Sequence, residues 1–246
     1  MKISAVIITL NEAENIGDCI DSLTEVADEI IVVDSFSADV TEKICRDKNV
    51  KFIQHKFEGH IQQKNFAVLQ SANDWILSLD ADERISNELK NSILVIKKNF
   101  SSYAYSMNRL NNYCGQWIKH GVWYPDKKIR LWNKQKGKWG GKNPHDKVVM
   151  NANSKVDFLK GNILHYTART PEQYKMQMEK FSTIAAQSMI DEGRKSNFLK
   201  THFSGVVAFV RSYILRAGFL DGRAGYEIAI GYSRYTRMKY LKLLQQ

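Results

Sequence analysis

Hydrophobic positions change their period along the chain, and each change marks an element. Residues 3–9 form a β-branched apolar run. After a polar stretch, Ile16, Cys19, Ile20 and Leu23 recur at i, i+3, i+4 and i+7, which predicts a strand followed by an amphipathic helix. Ile30-Ile31-Val32-Val33 is too short for a helix and predicts a second strand ending at Asp34; Ser37 then caps a helix carrying Val40 and Ile44. The unit repeats with a short strand over 51–54, a helix over 61–69 and the apolar strand Trp75-Ile76-Leu77-Ser78-Leu79, which ends in Asp80. Ser86 then precedes a helix with Leu89, Ile93 and Ile96 on one face.

Strands alternating with helices predict an α/β fold whose mostly parallel sheet carries helices on both sides, with ligands at the carboxyl ends of the strands. Polar residues gather at those ends: Asn11-Glu12 after the first strand, Asp34-Ser35 after the second and Asp80-Ala81-Asp82 after the fourth. Beyond residue 100 the pattern shifts to strands at 103–108 and 128–132, four of the five tryptophans, and a polar stretch over 137–147. From Pro171 the reading is helical, over 172–189, an apolar-rich stretch over 198–220, and 226–244. The expected organisation is an α/β domain over 1–170 and a helical extension over 171–246.

Composition changes the picture at the C-terminus. The chain has 246 residues with 36 Lys and Arg against 26 Asp and Glu, and ten of those basic residues against two acids lie between Arg194 and the end. Such asymmetry points to an anionic partner. Phe198, Phe203, Val206, Val207, Phe209, Ile214, Leu215 and Phe219 make the segment too apolar for a nucleic-acid tail, while Arg211 and Arg216 interrupt it too soon for a span of roughly 20 residues. Two readings stand: helices lying on the anionic inner leaflet of the plasma membrane, or a helical lid with a solvated basic face. Cys19, Cys45 and Cys114 have no Cys-x-x-Cys pairing and read as packing residues of a reduced, cytoplasmic compartment. The N-terminal apolar run reads as a strand, because Asn11-Glu12 stands where a signal peptide would continue.

Asp80-x-Asp82 directly follows a buried-looking strand, so its two carboxylates leave the sheet toward one side. Paired carboxylates suit a hard cation such as Mg²⁺ or Mn²⁺, which bridges to diphosphate oxygens and neutralises a departing nucleotide. An EF-hand loop is excluded, since Arg84 and Asn91 stand where acids belong. At the second strand tip, Asp34 either accepts the N3 hydrogen of a uracil ring or caps its own turn; Ser37, Asp39 and Thr41 read as capping residues. The loop Asn11-Glu12-Ala13-Glu14-Asn15 has neither glycine nor base, and Gly-x-Gly-x-x-Gly is absent, which disfavours a nucleotidyltransferase and a dinucleotide-dependent oxidoreductase. A non-catalytic, membrane-surface nucleotide-sugar-binding protein is the alternative from another class.

Thr9-Leu10-Asn11-Glu12, Asp34-Ser35-x-Ser37, Gln63-Lys64-Asn65-x-Ala67 and Leu79-Asp80-Ala81-Asp82-Glu83 occur in an order that resembles family 2 glycosyltransferases of the GT-A type, with its Rossmann-like sheet. Trp117-x-Lys119-His120-Gly121-x-Trp123-Tyr124-Pro125-Asp126, Asn143-Pro144-His145-Asp146 and Gly218-Phe219-Leu220-Asp221-Gly222 resemble the bacterial lipopolysaccharide core glucosyltransferase branch. The resemblance implies an inverting transfer of one hexose from a UDP-sugar to a lipid-linked glycan. Thr9, Leu10, Asn11, Glu12, Asp34 and Ser35 would surround the nucleoside, and Lys64 and Asn65 would approach the nucleotide. Asp80, Ala81 and Asp82 would face ribose and metal. Asp82 would hold Mg²⁺ or Mn²⁺; His165 resembles the late histidine that completes such a site, though a lone histidine is also commonly a hydrogen-bonded core residue. An inverting transfer needs a carboxylate base for the acceptor hydroxyl. Asp146 is the candidate and Asp126 the runner-up, since the Glu-Asp pair of the wider family is missing. The absence of Gln-x-x-Arg-Trp points to one sugar per encounter. Trp117, Trp123, Tyr124, Trp132 and Trp139 are candidates to stack on acceptor sugars or to fill the core.

Overall fold

The structure, a computed structural model, describes residues 1–142 and 145–245. It divides into two compact units, Met1–Arg109 with Lys127–His165, and Leu110–Asp126 with Tyr166–Gln246.

The first unit opens with β1 (Ile3–Thr9), α1 (Ile16–Leu23), β2 (Glu29–Asp34), α2 (Thr41–Asp47), β3 (Lys51–Gln54), α3 (His60–Leu69) and β4 (Trp75–Asp80). The chain continues through β5 (Glu83–Ile85), α4 (Asn87–Lys98), β6 (Ala104–Tyr113), β7 (Gln116–Ile118), β8 (Asp126–Asn133), β9 (Gly137–Lys142), β10 (His145–Met150) and β11 (Val156–Ala168). The sheet runs β3-β2-β1-β4-β8-β6-β11-β5, with β7 on β6. Strands β3, β2, β1 and β4 are parallel, as alternation with helices dictates. Strand β8 joins β4 antiparallel, and β5 joins β11 antiparallel.

Parallel strands covered on both faces have two cores. Ile3, Ala5, Ile7, Leu77 and Leu79 pack with Ile16, Cys19, Ile20, Leu23, Leu89 and Ile93 from α1 and α4. Val6, Ile31, Val33 and Ile76 pack on the other face with Ala67 and Val68 of α3 and with Trp132, Trp139 and Val148. The stretch expected as polar over 137–147 is an antiparallel hairpin, β9 with β10. Its Gly- and Lys-rich composition hides an alternation that buries Trp139 and Val148.

In the second unit β6 turns into β7 through Cys114 and Gly115, both at positive φ (50° and 87°). Successive left-handed residues make the hairpin turn that strand twist favours, and this leaves Cys114 exposed; of the three cysteines expected to pack, only Cys19 and Cys45 are buried. Helix α5 (Pro171–Asp191) starts where Thr170 accepts from the Gln173 N–H and Pro171 takes the first helical position. Helix α6 (Phe198–Phe209) runs into a π-helical segment, Val210–Leu215, then a 3₁₀ turn, Gly218–Asp221, and α7 (Gly222–Leu244). Tyr113, Ile118, Ala168, Tyr174, Ala224 and Ile228 form the core here. That core is why the observed division differs from a single cut after residue 170: residues 110–126 and 166–170 carry the apolar side chains that α5 and α7 bury. Among the described residues no single helix is long and apolar enough to cross a membrane; the pair Phe198–Leu215 and Gly218–Leu244, bent by 73°, reaches that length and composition only together.

Candidate active site

Three strand tips of the first unit build the site. The β1 tip is pinned to the β2 tip by Ser35 N–H donating to the Thr9 carbonyl (2.9 Å), by Asn11 N–H donating to Ser37 Oγ (2.7 Å) and by Ala38 N–H donating to Asn11 Oδ1 (2.8 Å). Asn11 takes a left-handed φ of 54° to make this bridge, a conformation asparagine tolerates better than most residues. Glu12 is fixed by its N–H on Thr41 Oγ1 and by Asn15 donating to its carboxylate. Asp34 is fully buried, and both its oxygens accept from Ser37, one from N–H at 2.8 Å and one from Oγ. These contacts close the turn at Asp34 itself, and they correct the expected role of Ser37: the helix it was to cap begins at Thr41 with Val40 in the cap position and no side-chain cap, because Ser37 Oγ is spent on Asp34 and Asn11, while Asp39 accepts from the Thr41 N–H. Ser35 Oγ accepts from Gln63 (3.0 Å), and Leu10 is half exposed. Thr9 is buried, and its Oγ1 has no hydrogen-bond partner among the described residues.

The β4 tip carries the charge. Lys64, 4% exposed, sets its Nζ 2.9 Å from Asp80 and 2.7 Å from Asp146. The α3 helix thus brings the first aspartate of the motif and the candidate base to one ammonium. Arg130, also 4% exposed at its side chain, lies 3.4 Å from Asp80 and 2.9 Å from Glu83, and the fully buried Glu83 also accepts from the Asp80 N–H (3.0 Å) and from Arg109 (3.4 Å). Burial works against a charged Asp80, but the Lys64 ammonium and then the Arg130 guanidinium outweigh it and hold the carboxyl well below the usual range. Burial likewise opposes the charge of Arg130, and Glu83, Asp80 and Asp146 raise its pKa regardless. Trp139 lies under both cations, its ring centre 4.5 Å from Lys64 Nζ and 5.2 Å from the Arg130 carbon. Asn65 spends both ends of its amide on the Trp139 backbone (3.0 and 3.1 Å), so it anchors the β9–β10 hairpin that carries Asp146.

The second aspartate has a different partner. Strand β5 pairs with β11 so that Glu83 opposes His165, which puts His165 Nε2 3.1 Å from Asp82 Oδ2. Ala81 between the two aspartates is buried in the core. The two carboxylates therefore divide their work, Asp80 with the buried cations and Asp82 with an imidazole. Among the described residues no group of three or more His, Cys, Asp and Glu side chains is placed to hold a metal alone. Asp82 and His165 supply one oxygen and one nitrogen, a donor set that fits a divalent cation sharing its remaining positions with phosphate oxygens and water.

Asp126, the alternative base, belongs to the second unit, and of the motif around Asp146 residues 143 and 144 lie outside the described residues. Sequence reasoning gave no role to Glu83, Arg109 or Arg130. A signal for Arg130 was present: it alternates with Ile129 and Leu131 in a strand, where a charged residue among apolar neighbours needs a buried partner. Of the tryptophans considered for sugar stacking, Trp132 and Trp139 are buried in the core, whereas Trp117 lines a pocket of about 350 Å³ in the second unit with Tyr166 and Arg169.

The site is thus a set of parallel strand tips that converge on an Asp-x-Asp turn, with a histidine facing the second aspartate. A family model described as Glycosyl transferase family 2 matches residues 4–217. A Rickettsia typhi protein named as an uncharacterized glycosyltransferase is 32% identical over 256 residues, covering 99% of this chain and 87% of its own. The chain therefore belongs to glycosyl transferase family 2 and has the GT-A type α/β fold. A lipopolysaccharide core biosynthesis glycosyltransferase, LpsC of Rhizobium meliloti, is 25% identical, covering 100% of this chain and 93% of its own. The S. aureus TarS 1-349 crystal structure is similar with a TM-score of 0.48 and 18% identity, covering 98% of this chain and 89% of that one.

Proposed function

We propose that this glycosyltransferase moves one hexose, glucose or a close relative, from a UDP-sugar to a lipid-linked glycan such as lipopolysaccharide core, with inversion at the transferred carbon. The observation that carries the reading is the pairing of Asp82 with His165 beside the Asp80–Lys64–Asp146 cluster. The acceptor class is supported by the name of the Rhizobium meliloti relative and by the three late motifs.

In this reading the β1 and β2 tips receive the nucleoside, and the buried, unpartnered Thr9 hydroxyl supplies a hydrogen bond. Asp82 and His165 hold Mg²⁺ or Mn²⁺, which supplies positive charge for the leaving diphosphate when bound. Lys64 is the pivot. A diphosphate offered to its ammonium competes with Asp146, and the freed Asp146 carboxylate takes the proton of the acceptor hydroxyl. The test is a thermal-shift panel of nucleotide sugars with and without Mn²⁺. UDP-sugars are expected to raise the melting temperature only with metal, because ligands that bind the folded state stabilise it by mass action; no shift with any of them would sink the reading. Asp146→Asn is expected to lower turnover roughly 100-fold or more, within the range of general-base contributions, with UDP-sugar affinity within a few-fold of the parent.

We place the enzyme at the cytoplasmic face of the plasma membrane. Phe203 (61% exposed), Val207 (63%) and Leu215 (75%) lie in one segment with Lys200, Arg211 and Arg216, where each surface cation contributes on the order of 1 kcal/mol on an anionic bilayer. Phe203→Glu with Val207→Glu is expected to abolish co-sedimentation with phosphatidylglycerol vesicles while UDP binding persists.

A further inference from the structure

Two runs of the sequence have no part in the donor site: the one from Trp117 to Pro125, and Gly218-Phe219-Leu220-Asp221-Gly222. Within the second unit they fold against each other. Asp221 is buried, and its carboxylate accepts from the backbone N–H groups of Lys119 (3.2 Å) and His120 (2.8 Å) and lies 3.0 Å from His120 Nδ1. Gln116 donates to the Asp221 carbonyl (2.9 Å), and Gly121 N–H donates to the Arg216 carbonyl (2.9 Å). The approach is close enough to need glycine: a Cβ on Gly218 would stand 2.7 Å from the Ser212 carbonyl oxygen, and one on Gly225 1.9 Å from that of Gly218.

This bracing fixes a pocket of about 400 Å³ lined by Lys119, His120, Tyr124, Pro125 and Arg216. Its lining offers an ammonium, a guanidinium, a phenol and an imidazole whose Nδ1 is engaged by Asp221, leaving Nε2 for a ligand. The buried acid beneath it is already met by three N–H donors. Two cations approaching from separate segments, Lys119 and Arg216, suit a phosphate better than a carboxylate, since it carries more charge and its tetrahedral oxygens point in different directions. The volume falls in the range of small-molecule sites and admits a sugar ring along with the phosphate.

We propose that this pocket binds a phosphate ester carried by the glycan acceptor, so that the enzyme selects phosphorylated acceptors. The proposal rests on the glycosyltransferase reading for the source of the phosphate, while binding itself can be read without turnover. The full chain is titrated with glucose 6-phosphate, with glucose and, separately, with UDP plus Mn²⁺, and it is tested for attachment to phosphatidylglycerol vesicles. Glucose 6-phosphate is expected to bind where glucose does not, and Lys119→Ala and Arg216→Ala, both at exposed positions, each weaken it at least fivefold with UDP affinity unchanged. Lys119→Ala, which lies outside the apolar helices, leaves vesicle attachment within twofold. Equal binding of glucose, no binding of glucose 6-phosphate, or unchanged affinity in both variants overturns the site. A larger loss of vesicle attachment in Lys119→Ala assigns the phosphate to the bilayer and overturns the glycan assignment. Failure of UDP to bind would count against the transferase reading alone.

Discussion

Asp82→Asn is expected to lower sugar transfer roughly 100- to 1,000-fold, the consequence of losing several kcal/mol of charge stabilisation on the leaving group. The melting temperature should stay within a few degrees of the parent, for a structural reason. Asp82 lies in the turn between β4 and β5, its side chain 28% exposed, and faces His165 at 3.1 Å; the asparagine keeps the shape and an oxygen that still accepts a hydrogen bond. Only the charge is lost. Steady-state turnover measured across a Mn²⁺ titration checks this, with circular dichroism melting as the control. His165→Ala is expected to act at the same step, so the double variant should fall far short of the product of the two single effects. Full turnover in Asp82→Asn would remove the carboxylate from the mechanism, and multiplicative effects would separate the two residues.

The first hundred residues were legible because local and global preferences agree there. Ile3, Ala5, Ile7 and Val6 alternate between two buried faces, and Ile16, Cys19, Ile20 and Leu23 make one helix stripe, so period alone locates the elements. The strand tips followed from that, and with them Asp34, Asp80 and Asp82. Strand β5 was missed because Glu83-Arg84-Ile85 is too short to show a period, yet its pairing with β11 is what sets His165 against Asp82. Asp146 and Lys64 are 82 residues apart, and nothing local announces their meeting. It depends on Asn65 holding the backbone of a hairpin whose composition reads as loop. The buried charges were hardest to foresee, since pattern reasoning assigns Glu and Arg to the surface unless a partner is known.

Those charges carry the second large expected effect. Arg130→Met is expected to cost about 3 to 5 kcal/mol, the usual result of removing one member of a buried ion pair. In a chain of this size that lowers the melting temperature by about 6 to 20 °C. The methionine can fill the space on Trp139, but it leaves the fully buried Glu83 with the Asp80 N–H at 3.0 Å and Arg109 at 3.4 Å as its remaining contacts. Adding Glu83→Gln should return much of the loss, because a neutral amide keeps an oxygen for the Asp80 N–H and no longer needs a counter-charge. The pH dependence separates this from simple misfolding. The folded-state pKa of Asp80 is depressed, by Lys64 first and Arg130 second, so its stabilising contribution is full above the unfolded value of about 3.9 and is lost as pH falls toward the folded one. Losing Arg130 narrows that gap, and the variant's stability should fall less steeply below about pH 4 than the parent's. Denaturant melts of the parent and both variants across the acid range measure all three quantities. A double variant no more stable than Arg130→Met, with an unchanged acid slope, would show that the Glu83–Arg130–Asp80 network does not hold the β4 tip in place.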